Sequence, residues 1–153
     1  MVTIRPAAEA DLPAIRGLLR AYVAWINLDL GFQDFEGEWR ALPGEYAPPR
    51  GALLVAEVGT DAVAMIALRP LAEGVCEMKR LFVQPSARGL GIGRALITRV
   101  LDEARASGYG EMRLDTLPVM GEAQAIYHAF GFRDIEPYYQ TPIAGTRFMS
   151  LTL

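Results

Sequence analysis

The chain contains 153 residues, 52% of them hydrophobic and 22% charged, which is enough apolar material for one core without disulfides or metals. Its net charge of −3 argues against a protein held to nucleic acid by phosphate contacts. Cys76 is the single cysteine, which rules out an internal disulfide and favours a reducing compartment. Since neither a signal peptide nor an apolar run of ~20 residues is present, we expect one soluble cytoplasmic domain over residues 1–153, without membrane contact.

Strand-like and helix-like segments alternate along the chain, separated by glycine, proline and aspartate. The predicted elements, in chain order, are a strand at 2–5, helices at 12–22 and 35–42, strands at 52–58, 62–68 and 76–83, a helix at 91–107, a strand at 111–116, a helix at 122–130, and strands at 132–135 and 146–153. Asp11 is the expected N-cap of the first helix. This order predicts a mixed α/β domain with a meander in its first half.

One glycine-rich segment carries the strongest chemical signal. A strand leads through a short loop into a long amphipathic helix, and alternate positions at the helix start are Gly89, Gly91 and Gly93. Glycine lets backbone approach a ligand closely, and a helix N-terminus offers free N–H groups and a partial positive charge. Arg88 and Arg94 add fixed positive charge on either side. The segment therefore predicts a phosphate-binding loop.

Two common phosphate-binding motifs do not fit this loop. The dinucleotide fingerprint needs glycine at its sixth position, where counting from Gly89 gives Arg94. The nucleoside triphosphate loop needs Gly-Lys followed by Ser or Thr, whereas Gly93 is followed by Arg94 and Ala95. An ordinary glycine-rich turn that binds nothing remains the alternative.

The run Arg88-Gly-Leu-Gly-Ile-Gly93 resembles the acyl-CoA signature, Arg/Gln-x-x-Gly-x-Gly/Ala, of the GNAT superfamily of N-acyltransferases. The preceding strand, 81–83, resembles the family's strand that pairs with the pantetheine arm, and 125–132 resembles its second motif, a helix that ends in Gly-Phe. The three motifs follow the family's order. The resemblance implies a three-layer α/β/α domain around a mixed, mostly antiparallel sheet of six or seven strands.

The resemblance also implies the donor and its contacts. Acetyl-CoA is the expected acyl donor. The implied cofactor-binding residues are Leu81, Phe82, Val83, Arg88, Gly89, Leu90, Gly91, Ile92, Gly93, Arg94 and Gln124. Gln124 departs from the family's pattern, because relatives often carry asparagine in that region.

Two catalytic residues are implied in the same way. A protonated amine cannot attack a thioester, and the thiolate leaves with a negative charge, so a base and an acid both assist acyl transfer. Glu77 stands where many family members place a glutamate base, and Tyr127 matches the tyrosine that protonates the thiolate. The alternatives are a Glu77 that is exposed or paired with Lys79 or Arg80. For Tyr127 the alternative is a ring that only packs on the core.

The lone histidine and the lone cysteine carry little signal. His128 follows Tyr127 directly and points about 100° away from it on a helix. No activating pattern accompanies Cys76. Because neither residue has metal-ligand spacing, no metal site is expected.

Residues 22–46 correspond to the segment that often walls the acceptor site in the family. They hold the aromatic residues Tyr22, Trp25, Phe32, Phe35, Trp39 and Tyr46, and the acids Asp29, Asp34, Glu36, Glu38 and Glu45 against one base, Arg40. Such a wall suits a small cationic amine, and the alternative is a helix pair with buried rings and a solvated acidic face. Analogy with the family places Tyr138 and Tyr139 on the opposite lip of the cleft.

These observations predict an N-acetyltransferase that transfers an acetyl group from acetyl-CoA to a primary amine. The acceptor would attack the thioester directly in a ternary complex, since no residue is suited to hold an acyl intermediate. Two alternatives remain open: a non-catalytic acyl-CoA-binding regulatory domain, and an acetyltransferase that acts on a protein terminus or lysine. Homodimers are common in the family, but no surface stripe in this sequence demonstrates one.

Overall fold

The computed structural model describes residues 1–153, built around one seven-stranded mixed sheet. The strands are β1 (Val2–Pro6), β2 (Ala52–Val58), β3 (Asp61–Ala72), β4 (Val75–Val83), β5 (Glu111–Thr116), β6 (Arg133–Ile135) and β7 (Arg147–Thr152). The helices are α1 (Leu12–Ile26), α2 (Phe35–Ala41), α3 (Ile92–Ala106) and α4 (Gly121–Phe130). The sheet order is β1-β2-β3-β4-β5-β7-β6, and every neighbouring pair is antiparallel except β4 with β5. None of the helices combines the length and the apolar character that a bilayer crossing requires.

The helices cover both faces of the sheet. One apolar cluster packs α1 and α2 on one face, and a second packs α3 and α4 on the other. The periodicity of α1 explains its placement, because its buried side chains recur at helical spacing: Ile15, Leu18, Leu19, Tyr22 and Ile26. In α3 the same pattern buries Leu96, Ile97, Val100, Leu101 and Ala104. The three-layer α/β/α architecture predicted from the sequence is therefore confirmed.

The predicted order of elements is also confirmed, with two local corrections. Strand β3 continues past the predicted end of its apolar run, because Arg69 and Pro70 still pair with β4. Asp11 does not cap α1 as expected. Its carboxylate instead accepts hydrogen bonds from the backbone N–H of Ala8 and from the guanidinium of Arg5.

Strands β4 and β5 separate after a short stretch of pairing. Only Val75–Glu77 of β4 pair with Glu111–Arg113 of β5, although β4 runs to Val83 and β5 to Thr116. Parallel strands that stop pairing diverge and leave a gap between them. The middle of the sheet therefore contains a V-shaped opening that begins beside Glu77.

A bulge in β4 lies at this opening. Arg80 has a φ of 62°, in the left-handed region, and the β3–β4 register passes from Lys79 to Phe82 without pairing Arg80 or Leu81. A non-glycine residue in this conformation costs of order 1 kcal/mol and persists only where its surroundings hold it. Here the guanidinium of Arg80 donates two hydrogen bonds to the carboxylate of Glu38 on α2, at 2.9 and 2.8 Å.

The Arg80–Glu38 pair generates a stability prediction. Although burial opposes its ionisation, Arg80 holds the pKa of Glu38 below its usual range. Glu38→Gln leaves the buried guanidinium without its counter-charge, so we expect the free energy of unfolding to fall by about 3 kcal/mol. Urea denaturation at neutral pH measures this loss.

The same helix supplies a matched control. Glu36 also receives two hydrogen bonds from an arginine, Arg20, but both side chains are exposed. Glu36→Gln should therefore change stability little. Equal effects of the two substitutions would contradict the role given to the buried pair.

Candidate active site

A cleft of about 640 Å³ opens on one side of the gap between β4 and β5. Its walls come from the C-terminal end of β4, the glycine-rich loop, the first turn of α3 and the start of α4. Among the residues with predicted cofactor contacts, those that line it are Leu81, Phe82, Val83, Arg88, Gly89, Gly91, Ile92, Gly93 and Arg94. The cleft thus has an apolar wall at the end of β4 and a wall of glycine-rich backbone at the loop and the start of α3.

The glycine loop has the conformation that its sequence favours. Gly89 and Gly91 have φ values of 84° and 76°, which side-chain-bearing residues rarely adopt. Gly93 lies in the first turn of α3, and no heavy atom lies within 4 Å of the point where its Cβ would be. The N-terminal N–H groups of α3 are therefore open to the cleft, as an anion site requires.

Trp25 lies in this cleft rather than on the acceptor side, where the sequence pattern had placed it. The guanidinium of Arg88 lies 5.0 Å from the centre of its ring, while the Arg88 Nε donates to the carbonyl oxygen of Val83. The pair fixes an arginine at the mouth of the cleft, beside the glycine loop.

Two predicted cofactor contacts lie outside the walls of the cleft. The Leu90 side chain is 61% exposed. The Gln124 amide donates to the carbonyl oxygen of Leu117 and accepts from Arg147, so it serves the packing of α4. A cofactor role for either residue stays a prediction.

Tyr127 lies where the cleft meets a second, inner cavity of about 20 Å³, and it lines both. The residue is buried, with its ring packed edge-on against Phe132. Burial, reinforced by Tyr22 and Asp115, raises the pKa of Tyr127. Its phenol is therefore protonated at neutral pH and available to donate a hydrogen bond.

The inner cavity occupies the gap between the separated strands. Strand β4 contributes Met78–Leu81 to its walls, and β5 contributes Asp115. Because Arg80 and Leu81 are unpaired in the strand register, backbone N–H groups at the bulge are available to a group bound in this gap.

Glu77 lies at the apex of the gap, and its side chain is 1% exposed. Its Oε1 accepts a hydrogen bond from Arg69 at 2.8 Å, and its Oε2 accepts one from the Tyr138 hydroxyl at 2.6 Å. Lys79 Nζ lies 3.9 Å from Oε1, and Arg80 turns away towards α2. The alternative of an exposed Glu77, or of one paired with Arg80, is therefore wrong, and Lys79 is only a distant partner, because Arg69 and Tyr138 bind the two carboxylate oxygens.

A second carboxylate–tyrosine pair lies beside the first. Asp115 on β5 accepts a hydrogen bond from the hydroxyl of Tyr139. The two tyrosine rings pack edge-on against Phe148, each with its centre 5.1 Å from that ring. The segment between β6 and β7 thus lies over the face that carries both carboxylates. Asp115 was not predicted as a site residue, because no local motif distinguishes it.

The acidic segment before β2 is largely neutralised by arginine. Glu36, Glu38 and Glu45 pair with Arg20, Arg80 and Arg69, in that order. Of its aromatic residues, Tyr22, Phe35 and Tyr46 are buried in the core. This segment therefore presents far less negative charge to an acceptor than its composition indicates.

Cys76 and His128 lie away from this chemistry. Burial raises the pKa of the Cys76 thiol to about 12, so almost no thiolate forms at neutral pH. His128 is exposed on α4, with its Nε2 2.8 Å from the guanidinium of Arg147.

Comparison with known proteins agrees with the geometry. Residues 15–132 match the model of the Acetyltransferase (GNAT) family. The chain belongs to the GNAT acetyltransferase family. An uncharacterized N-acetyltransferase of Schizosaccharomyces pombe is 38% identical over 146 residues, which cover 94% of this chain and 89% of that protein.

Solved GNAT structures share the whole fold. A GNAT acetyltransferase from Staphylococcus aureus matches with a TM-score of 0.84 at 21% identity, over 99% of each chain. A putative acetyltransferase from Salmonella typhimurium, solved with its cofactor acetyl-CoA, matches with a TM-score of 0.71 at 23% identity, over 99% of this chain and 93% of the other. The chain is thus a GNAT acetyltransferase by family, and its fold is that of the solved GNAT structures.

The open position of Gly93 generates a prediction for the cofactor cleft. In Gly93→Ala the new methyl group meets no protein atom, and it would occupy part of the cleft where we expect the cofactor phosphate to approach the backbone. We expect the free protein to gain up to about 1 kcal/mol of stability, because alanine favours a helix. We expect CoA affinity, measured by calorimetry, to fall by about tenfold or more.

Gly17 in α1 gives the matched control. It is also a helical glycine with no heavy atom within 4 Å of its Cβ position, and it does not line the cleft. Gly17→Ala should stabilise the protein and leave CoA affinity unchanged. Unaltered CoA affinity in Gly93→Ala would show that phosphate does not lie against the start of α3.

Proposed function

We propose that this GNAT acyltransferase transfers an acetyl group from acetyl-CoA to a primary amine, by direct attack within a ternary complex. The observation that carries the proposal is the position of Tyr127. It lines both the cofactor cleft and the inner cavity, at the junction where a thioester sulfur would lie.

The donor side favours acetyl over longer acyl groups. The glycine loop and the start of α3 would hold the pyrophosphate, and the pantetheine arm would enter the gap beside β4. The acyl group would then lie at the junction beside Tyr127, against the apolar end of the inner cavity formed by Leu30, Leu117 and Met120. A longer chain would have to displace these side chains.

The transfer step uses groups on both sides of the junction. The amine nitrogen forms a bond to the carbonyl carbon, and the oxyanion accepts hydrogen bonds from backbone N–H groups at the β4 bulge. The C–S bond then breaks, and the sulfur takes the proton of the Tyr127 hydroxyl, which is afterwards restored from solvent. An ammonium acceptor gives one proton to the base before the attack and a second to solvent as the amide forms, so the products are the N-acetyl compound, CoA thiol and one proton. Cys76 cannot act as acyl carrier, because its thiol is buried and protonated.

Glu77 is the proposed base. Its carboxylate reaches the acceptor side through the Tyr138 hydroxyl, which donates to Oε2 and can pass on a proton from the amine. Water access is not needed at the carboxylate itself, which is fully buried.

The free thiol of Cys76 also favours a reducing compartment, and we propose a cytoplasmic location.

The direct test of the function is release of CoA thiol with a panel of small primary amines and amino acids. We expect turnover with wild type. Tyr127→Phe should lower kcat by roughly 10² and keep CoA affinity, since the ring and its packing remain. Equal rates in the two proteins would remove Tyr127 from the mechanism. CoA binding without turnover of any small acceptor would leave a protein amine or a regulatory role instead.

The proposed base has its own test in a pH profile. Glu77→Gln should lower kcat by roughly 10² at neutral pH. The deficit should shrink at high pH, because the acceptor amine then loses its proton without help. Glu111→Gln alters a carboxylate on β5 that pairs with Arg113 and lines neither the cleft nor the inner cavity, so it is the control and should not show this pH dependence. A deficit of Glu77→Gln that is constant across pH would indicate a structural role only.

A further inference from the structure

Lys79 is the only lysine in the chain, whose other basic side chains are all arginines apart from His128. It lies on β4 in the wall of the inner cavity, and its side chain is 7% exposed. Burial and the neighbouring Arg80 lower the pKa of Lys79. A buried ammonium group in this position needs compensating partners.

The partners that Lys79 has within the protein are weak. Its Nζ lies 3.3 Å from the amide oxygen of Gln33, a neutral group. The nearest carboxylate oxygen, on Glu77, is 3.9 Å away and already accepts a hydrogen bond from Arg69. An ammonium group has three N–H donors, and only one of those of Lys79 has a hydrogen-bond partner within the protein. The others are available to a group bound in the cavity.

Asp115 is the opposite charge on the facing strand. It lines the same cavity, accepts a hydrogen bond from Tyr139, and forms no ion pair. The other charges around the cavity are matched, since Arg80 pairs with Glu38 and Arg69 with Glu77. One cation and one anion thus remain in the gap between the strands, and they do not pair with each other.

This arrangement complements a zwitterion. We propose that the acceptor is an α-amino acid, or a compound with the same amino-carboxylate head, whose carboxylate binds Lys79 and whose amino group binds Asp115. The inference rests on the proposed acetyl transfer and names its substrate class. A plain cationic amine would satisfy Asp115 and leave the Lys79 ammonium without a counter-charge.

The cavity of about 20 Å³ has room for only part of such a head group, so its acceptor side has to widen on binding. The amino group would replace the Tyr139 hydroxyl on Asp115, and the Tyr139 side chain would turn outwards while Tyr138 keeps its hydrogen bond to Glu77. The acceptor side chain would then leave the gap on the side of the segment between β6 and β7, where Tyr138 and Tyr139 pack on Phe148.

The single lysine allows a binding experiment that does not depend on turnover. Protein labelled with ¹³C-lysine gives one internal lysine Cε signal. The CoA complex is titrated with the common L-amino acids, each paired with its decarboxylated amine and its carboxamide. We expect at least one amino acid to shift the Lys79 signal and its two carboxylate-free partners to leave it unchanged. The proposal is overturned if no amino acid shifts the signal, or if an amine shifts it equally.

Kinetics with the responding amino acid give a second measurement. Lys79→Met keeps an unbranched side chain of similar size and removes the charge. We expect kcat/KM for the amino acid to fall about 30-fold or more, while that for its decarboxylated amine changes less than about threefold. Arg105→Met, at an exposed cation on α3, is the control and should alter neither. Equal losses for the two acceptors would assign Lys79 a structural role.

The two readouts separate this inference from the proposed function. If an amino acid shifts the Lys79 signal but no thiol is released, the proposed binding site is supported and the proposed acetyl transfer is contradicted. If amines without a carboxylate are acetylated rapidly and no amino acid shifts the Lys79 signal, acetyl transfer is supported and the amino-acid site is contradicted.

Discussion

The arrangement of the site depends on one constraint, the end of pairing between β4 and β5 after Glu77 and Arg113. A continuous ladder would fill the middle of the sheet with hydrogen bonds and leave no place for a ligand. Since the strands separate, backbone groups and alternate side chains from both become available in one gap. The cofactor cleft, the inner cavity and the two carboxylate–tyrosine pairs all border this opening.

The face that carries α1 and α2 is shaped by electrostatic pairing as much as by apolar packing. Arginines from β3 and β4 neutralise Glu38, Glu45 and Glu77, which allows Glu38 and Glu77 to be largely buried near the gap. An arginine fork holds a carboxylate with two directional bonds and so fixes the position of α2 against the sheet. The charge that remains is local and specific rather than a general acidic surface.

The sequence predicted the features that depend on neighbouring residues. Helix and strand periodicity indicated all eleven main elements in order, and the local motif located the glycine loop. The contacts of Glu77 could not be predicted, because Tyr138 lies 61 positions away and Arg69 faces it only through the register of β3 with β4. The left-handed conformation of Arg80 could not be predicted from the sequence either, since arginine has no preference for it. Long-range pairing and strain, rather than composition, decide these details.

The stacking of Trp25 with Arg88 has a practical consequence. The chain has two tryptophans, and the other, Trp39, donates its indole N–H to the carbonyl oxygen of Arg16 outside the cleft. Only Trp25 therefore lies in the cleft, with 39% of its surface open to water. Its fluorescence gives the protein a built-in optical signal for cleft occupancy, which needs no label and no chemical turnover.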